Sequence, residues 1–441
     1  MKLLAFVKKD FLEMTRHLIK LLALCLISNV ALTKVVEESA IIYSPKESTL
    51  NILKTHPEII LDHPKKNSIE VYGPVGTISF LKNLEPKVFA QGLFRTKGRD
   101  DYPTSKEIEN TLKTVVEENQ NIMRMFSLGK THEGKDIWAI KISDNPEVDE
   151  LEPEVKYIAN MHGDEIVGRE LMVLLIQEIA LGHRVLNPQI VNLVNNLEIF
   201  IVPSMNPDGA DHIRRGNSNW VDLNRDFPDF TTRDNENSPE GRQPETKAIM
   251  EFQAKRNFSL SANFHGGAEV VNYPWDTTGK KHPLHDHVYK LSLDYANLVP
   301  GMRDSIEFPK GVVNGYDWYE VNGGMQDWSY YWYEDLQVTV ELSDEKYPEY
   351  YEVANYWTQN KQSLLNYLES GIIGVGFNNI AQDFIEIKIY RKQEKIFHTH
   401  TNKPQFFKAL PKGVYEVEIS GPNNLQKMHT VSIKNQAHYL D

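Results

Sequence analysis

Between residues 105 and 370 the chain alternates short apolar runs with amphipathic stretches, and this alternation indicates its fold class. Apolar runs of strand length lie at residues 137–142, 155–160, 197–203, 258–264 and 336–342. Helical patterns cover residues 105–121 and 167–181. Strands that alternate with helices predict an α/β fold, with a mixed, largely parallel sheet flanked by helices.

We expect this α/β domain to span residues 101–370. The regions before and after it have a different pattern of apolar residues. Residues 35–100 mix short apolar runs with polar turns, which predicts a small N-terminal α+β module in which no chemistry is visible. After residue 370 the patterning changes to period two, which predicts an all-β sandwich over residues 371–441. The clearest alternation lies at residues 385–389 and 414–419.

The N-terminal residues have the pattern of an export signal. An uncharged run at residues 21–33 contains Cys25 and follows the basic residues Arg16 and Lys20. The run is shorter than the ~20 residues that span a bilayer, but it suits the core of a signal peptide. We therefore expect a signal peptide at residues 1–33, a secreted or extracytoplasmic protein and no stable membrane span. A buried amphipathic helix and an uncleaved leader that retains the protein at a membrane are the alternatives.

Charge and cysteine content exclude several classes of protein. The 441 residues carry a formal net charge of −13, so we expect no basic surface that could neutralise nucleic-acid phosphates. The chain has 1 cysteine, so neither an internal disulfide nor a cysteine-ligated zinc site can form. Any metal must therefore be held by histidine and carboxylate side chains. No pattern in the sequence indicates the oligomeric state.

Two strand ends carry residues that can bind a metal. His162-Gly-Asp-Glu165 follows the apolar run at residues 155–160, and His265 follows the run that ends at residue 264. In parallel sheets, sites gather at the carboxyl ends of strands. Three protein ligands and one position left for water are typical of a catalytic zinc site. Taken alone, the first motif could equally be a helix N-terminus with a stabilising acid.

Arginines between residues 214 and 225 indicate recognition of an anion. Arg214, Arg215 and Arg225 lie among Gly, Asn, Asp and Trp residues. A guanidinium group matches the planar geometry of a carboxylate, so arginines in such a setting favour binding of a carboxylate ligand. The alternative is a solvated surface patch, in which these charges contribute little.

Taken together, the motifs resemble the zinc metallocarboxypeptidase family, and within it the regulatory branch of the carboxypeptidase D, E, M and N type. In chain order they are HGDE (162–165), NPDG (206–209), DLNRDFPD (222–229), NFHGG (263–267) with NYPWD (272–276), DWYEVNGGMQDW (317–328) and TVEL (339–342). Since that branch carries a C-terminal transthyretin-like domain, the resemblance implies a transthyretin-like sandwich at residues 371–441.

The resemblance also implies a metal centre. His162, Glu165 and His265 match the zinc ligands of the family, so one Zn²⁺ per chain is expected. Asp222 matches the acid that orients the first ligand histidine, and such a partner fixes the tautomer and ring direction of a ligand.

Further residues match the catalytic and substrate-binding groups of the family. Glu341 corresponds to the general base. Arg215 corresponds to the arginine that polarises the scissile carbonyl, with the adjacent Arg214 as the alternative. The terminal carboxylate of the substrate is expected to be held by Asn224, Arg225 and Tyr319.

Substrate preference is implied by Asp276 and Gln326. In the regulatory branch an acid at the position of Asp276 receives a basic side chain, and Gln326 lines the same pocket by analogy. C-terminal Arg or Lys is therefore the expected substrate end, whereas a structural cap is the alternative role for Asp276. The module at residues 35–100 has no counterpart in the minimal family pattern. Its role as a folding aid, a removable propeptide or a surface adaptor stays open.

The resemblance thus predicts a zinc-dependent metallocarboxypeptidase that hydrolyses the C-terminal peptide bond of peptides or proteins. One rival is a cell-wall peptide carboxypeptidase or amidase, which would share the metal site and Glu341 but would not need Asp276. The other rival is a non-catalytic zinc-binding or peptide-binding module. The presence of every matched site residue disfavours this second rival.

Overall fold

The computed structural model describes residues 37–65, 68–85, 88–93, 102–379 and 383–440. The predicted signal peptide at residues 1–33, with Cys25, lies outside these ranges. Among the described helices, none is both long enough and apolar enough to cross a membrane. The described chain forms an N-terminal α+β module, a central α/β region and a C-terminal β-sandwich, as the sequence predicts.

The N-terminal module is a four-stranded antiparallel sheet in the order β2-β3-β1-β4. Its elements are β1 (Glu38–Tyr43), α1 (Glu47–Leu53), β2 (Ile60–Lys65), β3 (Ser68–Gly73), α2 (Thr77–Leu84) and β4 (Val88–Leu93). Both helices pack on one face of the sheet, where Leu53 and Leu81 join Val71 in an apolar core. Because side chains alternate along a strand, Asp62 and Tyr72 lie on the opposite face.

The central region is organised around an eight-stranded mixed sheet in the order β11-β10-β12-β9-β7-β8-β6-β5. The middle pairs β12-β9, β9-β7 and β7-β8 are parallel, which confirms the predicted sheet type. The strands are β5 (Met123–Lys130), β6 (Asp136–Ile142), β7 (Glu154–Ala159), β8 (Glu198–Val202), β9 (Phe258–His265), β10 (Ala268–Tyr273), β11 (Val312–Asn314) and β12 (Leu336–Ser343).

Helices cover both faces of this sheet. The helices are α3 (Ser105–Glu117), α4 (Val167–Arg184), α5 (Pro188–Val194), α6 (Pro207–His212), α7 (Pro244–Ala254), α8 (His285–Ala296), α9 (Pro300–Arg303), α10 (Gly315–Trp318), α11 (Met325–Tyr333) and α12 (Val353–Ser370). Tyr157 of β7 packs in the apolar cluster under α3, α4, α8 and α12. The next residue, Ile158, packs in the cluster under α7 and α11. Burial of each such side chain contributes roughly 1.5–3 kcal/mol, so both layers stabilise the sheet.

The C-terminal region is a sandwich of two sheets, in the orders β16-β13-β19 and β15-β14-β17-β18. Its strands are β13 (Gly374–Asn378), β14 (Ile385–Arg391), β15 (Glu394–Thr401), β16 (Gln405–Ala409), β17 (Gly413–Gly421), β18 (Leu425–Ile433) and β19 (His438–Leu440). Ile387 and Val417 are among the buried residues between the sheets. Phe407 and Ala409 of β16 belong instead to the core of the central region, so apolar contact joins the two regions.

Candidate active site

The proposed metal ligands and base lie together at the carboxyl ends of the parallel strands. His162 and Glu165 follow β7, and His265 is the last residue of β9. Glu341 of β12 is the direct cross-strand neighbour of His265. Because parallel strands present their carboxyl ends at the same edge, the sheet brings together residues that lie far apart in sequence.

Three potential ligand atoms converge at this edge. Nδ1 of His162 lies 3.0 Å from Oε2 of Glu165 and 3.0 Å from Nδ1 of His265. Nδ1 of His265 lies 2.8 Å from the same glutamate oxygen. All three side chains are buried. Zinc takes nitrogen and oxygen ligands at about 2.0–2.2 Å, so these three atoms can surround a single ion.

The surrounding charges favour a cation at this position. Burial and Arg215 lower the pKa of His162, but the carboxylates of Glu165 and Asp222 outweigh them and raise it to about 9. Asp222 accepts a hydrogen bond of 2.9 Å from Nε2 of His162, so the other ring nitrogen faces the cluster. Asp222 therefore lies where an orienting acid is expected, and the donor set fits a zinc ion.

Arg215 rather than Arg214 lies in the site. Nη1 of Arg215 is 3.0 Å from Oε1 of Glu165, and its Nε donates to Oδ2 of Asp222 over 3.1 Å. Arg214 instead lies over the ring of Trp220, with 4.3 Å between the guanidinium carbon and the ring centroid. Of the two arginines that the sequence left open, Arg215 is thus the one with its guanidinium beside the metal-binding cluster.

A second wall of the site carries the residues expected to bind substrate. The residues that line the cavity include Asn224, Tyr319 and Asp276, and Arg225 lies next to Asn224 in a short 3₁₀ turn. Oδ1 of Asn224 accepts the backbone N–H of Met325 over 3.0 Å, which fixes the amide relative to α11. Asn224, Tyr319 and Asp276 therefore line the same cavity as the three potential metal ligands.

The pocket beside this wall is built around Asp276. Oδ1 of Asp276 accepts a hydrogen bond of 2.9 Å from Nε2 of Gln326. Asp327 accepts the backbone N–H groups of Asp276 and Thr277, over 2.8 and 2.9 Å. A Cβ atom at Gly315 would lie 1.7 Å from Oδ1 of Asp276, so only glycine leaves room for this carboxylate.

Burial raises the pKa of Asp276 to about 7, although a hydrogen bond from Asn272 and the charge of Arg225 act in the opposite direction. No lysine or arginine forms an ion pair with Asp276 in the part of the chain that the structure describes. A buried acid with mainly amide partners favours a cationic ligand, because a cation would restore its charged form.

The N-terminal module, in whose sequence no chemistry is visible, also contributes a residue to the site. Asp62 of β2 is fully buried and lines the same cavity as His162 and Glu341. Its Oδ2 lies 2.9 Å from Nη1 of Arg215 and 3.5 Å from Nζ of Lys346. With Asp62 in place, the cavity retains a volume of about 20 Å³.

Three of these residues gave no signal in the sequence. Asp62 follows two apolar residues within a short strand, and Lys346 lies in the loop after β12, where a charged residue is ordinary. Asp327 lies inside the motif at residues 317–328, yet its hydrogen bonds to a loop fifty-odd residues away in sequence cannot be read from that motif. Only the folded arrangement identifies them.

The chain is similar to known proteins in both sequence and fold. The family described as Zinc carboxypeptidase matches residues 108–363. Carboxypeptidase SOL1 of Arabidopsis thaliana is 37% identical over 350 residues, which cover 76% of this chain and 70% of the relative. Carboxypeptidase M of Mus musculus is 35% identical over 353 residues, which cover 73% of this chain and 79% of the relative.

Among solved structures, thrombin activatable fibrinolysis inhibitor is similar in fold. It superposes with a TM-score of 0.60 at 16% identity, over 76% of this chain and 98% of that chain. At this identity the likeness concerns the fold of the backbone.

Proposed function

This chain belongs to the zinc carboxypeptidase family, as a zinc-dependent hydrolase with relatives in the regulatory branch, and from this premise we propose that it removes C-terminal Arg or Lys residues from peptides and proteins. The observation that carries the proposal is the convergence of His162, Glu165 and His265 in one cavity with Glu341 and Arg215. We propose one Zn²⁺ per chain, held by this triad.

Exopeptidase action follows from the proposed carboxylate clamp. Arg225 and Asn224, with Tyr319, are proposed to bind the free carboxylate at the end of the substrate. A bidentate guanidinium–carboxylate pair combines charge with geometric selectivity. An internal peptide bond has no such anion one residue away, so only the last bond of a chain would be positioned beside Glu341.

Hydrolysis requires one proton to move from water to the leaving amine. Glu341 is proposed to accept this proton as the C–O bond forms and to return it to nitrogen as the C–N bond breaks. Arg215 stabilises the negative charge that develops on the carbonyl oxygen. When bound, zinc supplies Lewis-acid polarisation and lowers the pKa of water toward ~7.

The preference for a basic residue rests on the pocket around Asp276. Its carboxylate is buried, is oriented by Gln326 and lines the cavity beside Asn224 and Tyr319. A substrate ammonium or guanidinium group would pair with Asp276, and this pairing favours Arg and Lys over apolar residues. The alternative specificity for cell-wall peptides gives no role to this buried acid.

We also propose that the protein acts outside the cytoplasm and that its sandwich is a transthyretin-like domain. The uncharged run at residues 21–33 after basic residues supports export. The two packed sheets of strands at the C-terminal end support the domain type.

A panel of peptides that differ only in the last residue tests the proposal. We expect release of C-terminal Arg and Lys to exceed release of Leu, and we expect a chelator to abolish all three until zinc is restored. C-terminally amidated peptides serve as the control and should not be cleaved. Equal release of the three residues would contradict the basic preference, and turnover that is unchanged by metal removal would contradict the proposed mechanism.

A further inference from the structure

Three side chains on the outer face of the C-terminal sandwich form a second cluster of potential metal ligands. His398 and His400 lie two residues apart on β15, so their side chains are on the same face of the sheet. Glu386 of β14 is the direct antiparallel partner of His400 and shares that face. The neighbouring residues Ile387 and Phe397 are buried between the two sheets, so the cluster lies on the side away from the core.

The ligand atoms of this cluster are close enough to share one ion. Nε2 of His398 lies 2.7 Å from Oε1 of Glu386, and Nε2 of His400 lies 3.7 Å from the same oxygen. One ligand atom from each of the three side chains lies within 4.8 Å of the other two. Two ligands at ~2.0–2.1 Å from a tetrahedral zinc ion are about 3.3 Å apart, which lies between the two observed distances. Small side-chain rotations would therefore bring all three atoms to coordination distance.

The donor set is the same as in the active site. There, Nδ1 of His162 and Nδ1 of His265 lie 3.0 and 2.8 Å from Oε2 of Glu165. The two clusters differ in exposure, because the active-site ligands are all buried whereas His400 is exposed and its two companions are partly buried. Imidazole and carboxylate donors suit zinc, and the exposed side leaves a position for water.

Neighbouring groups hold the carboxylate of Glu386 in place. Its Oε2 accepts a hydrogen bond of 3.1 Å from the hydroxyl of Ser420 and lies 2.8 Å from Nζ of Lys388. Because both partners engage Oε2, the other oxygen, Oε1, faces the imidazoles. Hydrogen-bonded partners of this kind orient the ligands of metal sites.

Ring contacts order the two imidazoles. The ring centroids of His398 and His400 are 5.0 Å apart, with an angle of 63° between the ring planes. The ring of Phe384 stacks on His400, with 5.7 Å between the centroids and 13° between the planes. A side chain that is already ordered loses less conformational entropy when a ligand binds, so these contacts favour binding of an ion.

The lysine beside the cluster does not make it positive. Lys388 has a carboxylate on either side, from Glu386 on its own strand and from Glu418 directly opposite on β17. The next cation on β15, Lys395, lies opposite Tyr390. Four residues separate that position from Glu386, which is about 13 Å along the strand. Surface charges more than ~8 Å apart are largely screened at physiological salt, so Lys395 does not oppose a bound cation.

A surface ion pair is the alternative role for these residues. Such a pair needs one imidazole, and His398 alone would supply it. His400 nevertheless brings its Nε2 to the same oxygen, and two protonated imidazoles beside one carboxylate would repel each other. A shared metal ion instead requires both rings to be neutral, which removes the repulsion.

We propose that Glu386, His398 and His400 form a second divalent-metal site of the zinc type, separate from the active-site triad, with water as the fourth ligand. The site joins β15, which lies at the edge of its sheet, to β14. An ion that binds only the folded hairpin stabilises it, so zinc would hold this edge strand in the sandwich. The proposal does not depend on the peptidase activity.

Metal stoichiometry in the full chain tests this site. The metal-free protein is titrated with Zn²⁺ against a chromophoric chelator, and we expect two bound ions in the wild type. The double variant His398→Ala/His400→Ala should fold, because the two side chains are 36% and 47% exposed, and it should bind one ion. His438→Ala changes another exposed histidine of the sandwich and is the matched control, which should still bind two.

An active-site variant separates the two metal sites. The variant His162→Ala/His265→Ala should keep one ion, on the sandwich. Adding Glu386→Gln to that variant should weaken binding of this ion at least roughly tenfold, since loss of a group that merely orients a ligand already costs about 10–100-fold in affinity.

Hydrogen exchange locates the second ion. Zn²⁺ should slow amide exchange in β14 and β15 severalfold, because the ion opposes local opening of the hairpin. In His398→Ala/His400→Ala the same amides should exchange at one rate with and without Zn²⁺.

The outcomes distinguish failure of this site from failure of the proposed active site. Two ions in the sandwich double variant, or one ion in the wild type that persists in that variant, would overturn the second site. Exchange in β14 and β15 that does not respond to Zn²⁺ would overturn it as well. One ion in the wild type that is lost in the sandwich double variant would support the second site and contradict the metal centre of the proposed peptidase.

Discussion

The metal-binding side of the active site and the pocket around Asp276 are built in different ways. His162, Glu165 and His265 directly follow or end β7 and β9, whose positions are fixed by parallel ladders in the middle of the sheet. Asp276 lies in a loop after β10, and its position depends on hydrogen bonds to Gln326 and Asp327. If the proposed function is correct, the reaction depends on the sheet, whereas selectivity depends on loop contacts.

The two sides also differ in electrostatics. On the metal-binding side Glu165 and Asp222 each form an ion pair with Arg215, at 3.0 Å in both cases. Asp276 has mainly amide partners, and burial raises its pKa to about 7. We therefore expect the first side to be organised before substrate arrives and the second to gain its counter-charge from the substrate. If this is correct, substitutions on the metal-binding side change the rate of hydrolysis for every substrate. Substitutions in the pocket around Asp276 change the preference between substrates.

The largest effect is expected from Glu341→Gln. Loss of the proton acceptor should lower kcat by roughly 10²–10⁴-fold for every substrate, whatever its last residue, because general-base catalysis contributes about that much. Zinc content and peptide affinity should stay unchanged. Steady-state kinetics and metal analysis check this, with exposed Glu345→Gln as the control. Near-normal turnover would remove Glu341 from the reaction.

Arg225→Ala should come next, and it is best measured in the Asp62→Asn background, because Oδ1 of Asp62 lies 3.6 Å from Nη2 of Arg225. Loss of a charged hydrogen bond to the terminal carboxylate should raise KM by roughly 10–100-fold for Arg, Lys and Leu substrates alike. Exposed Arg233→Ala is the matched control. An increase in KM confined to Arg and Lys substrates would mean that Arg225 contributes to the pocket around Asp276 and not to binding of the terminal carboxylate.

Asp276→Ala should lower kcat/KM for Arg and Lys substrates by roughly tenfold or more while leaving Leu nearly unchanged, because only basic side chains lose a partner. The ratio of kcat/KM for Lys and Leu peptides measures this directly. Asp286→Ala, at an exposed acid in the same region, serves as the control. An equal loss of kcat/KM for Arg, Lys and Leu substrates would contradict the proposal that Asp276 determines substrate preference alone.

The smallest effect is expected from pH. Since the pKa of Asp276 is raised to about 7, its carboxyl group is neutral below that pH and charged above it. The Lys-to-Leu ratio of kcat/KM should therefore rise severalfold between about pH 6 and pH 8, because this ratio follows the ionisation of the free enzyme. Ionisations that affect both substrates cancel in the ratio. The ratio should be flat in Asp276→Asn; a rise in that variant would assign the effect to another group.

The sequence predicted helices and strands well where the period of apolar residues is clear, and less well for strands at the edge of the sheet. The helix at Val167–Arg184 and the strand at Phe258–His265 lie close to their predicted positions. Strand Met123–Lys130 was not predicted, because it lies at the sheet edge and its burial does not alternate. Strand Ala268–Tyr273 was also missed, since it begins directly after the glycines that follow His265.

By itself, the sequence determined the fold class and identified the residues that we propose as metal ligands. Those residues directly follow or end apolar strands, so their position in the sequence fixes the edge of the sheet to which they belong. Tertiary structure decided what no local pattern contains: that Arg215 and not Arg214 faces Glu165, and that Asp62 reaches the same site from a separate module. Such contacts depend on how two surfaces that are far apart in sequence pack together. A buried charge is strongly destabilising unless a partner compensates it, and a local sequence pattern does not show that partner.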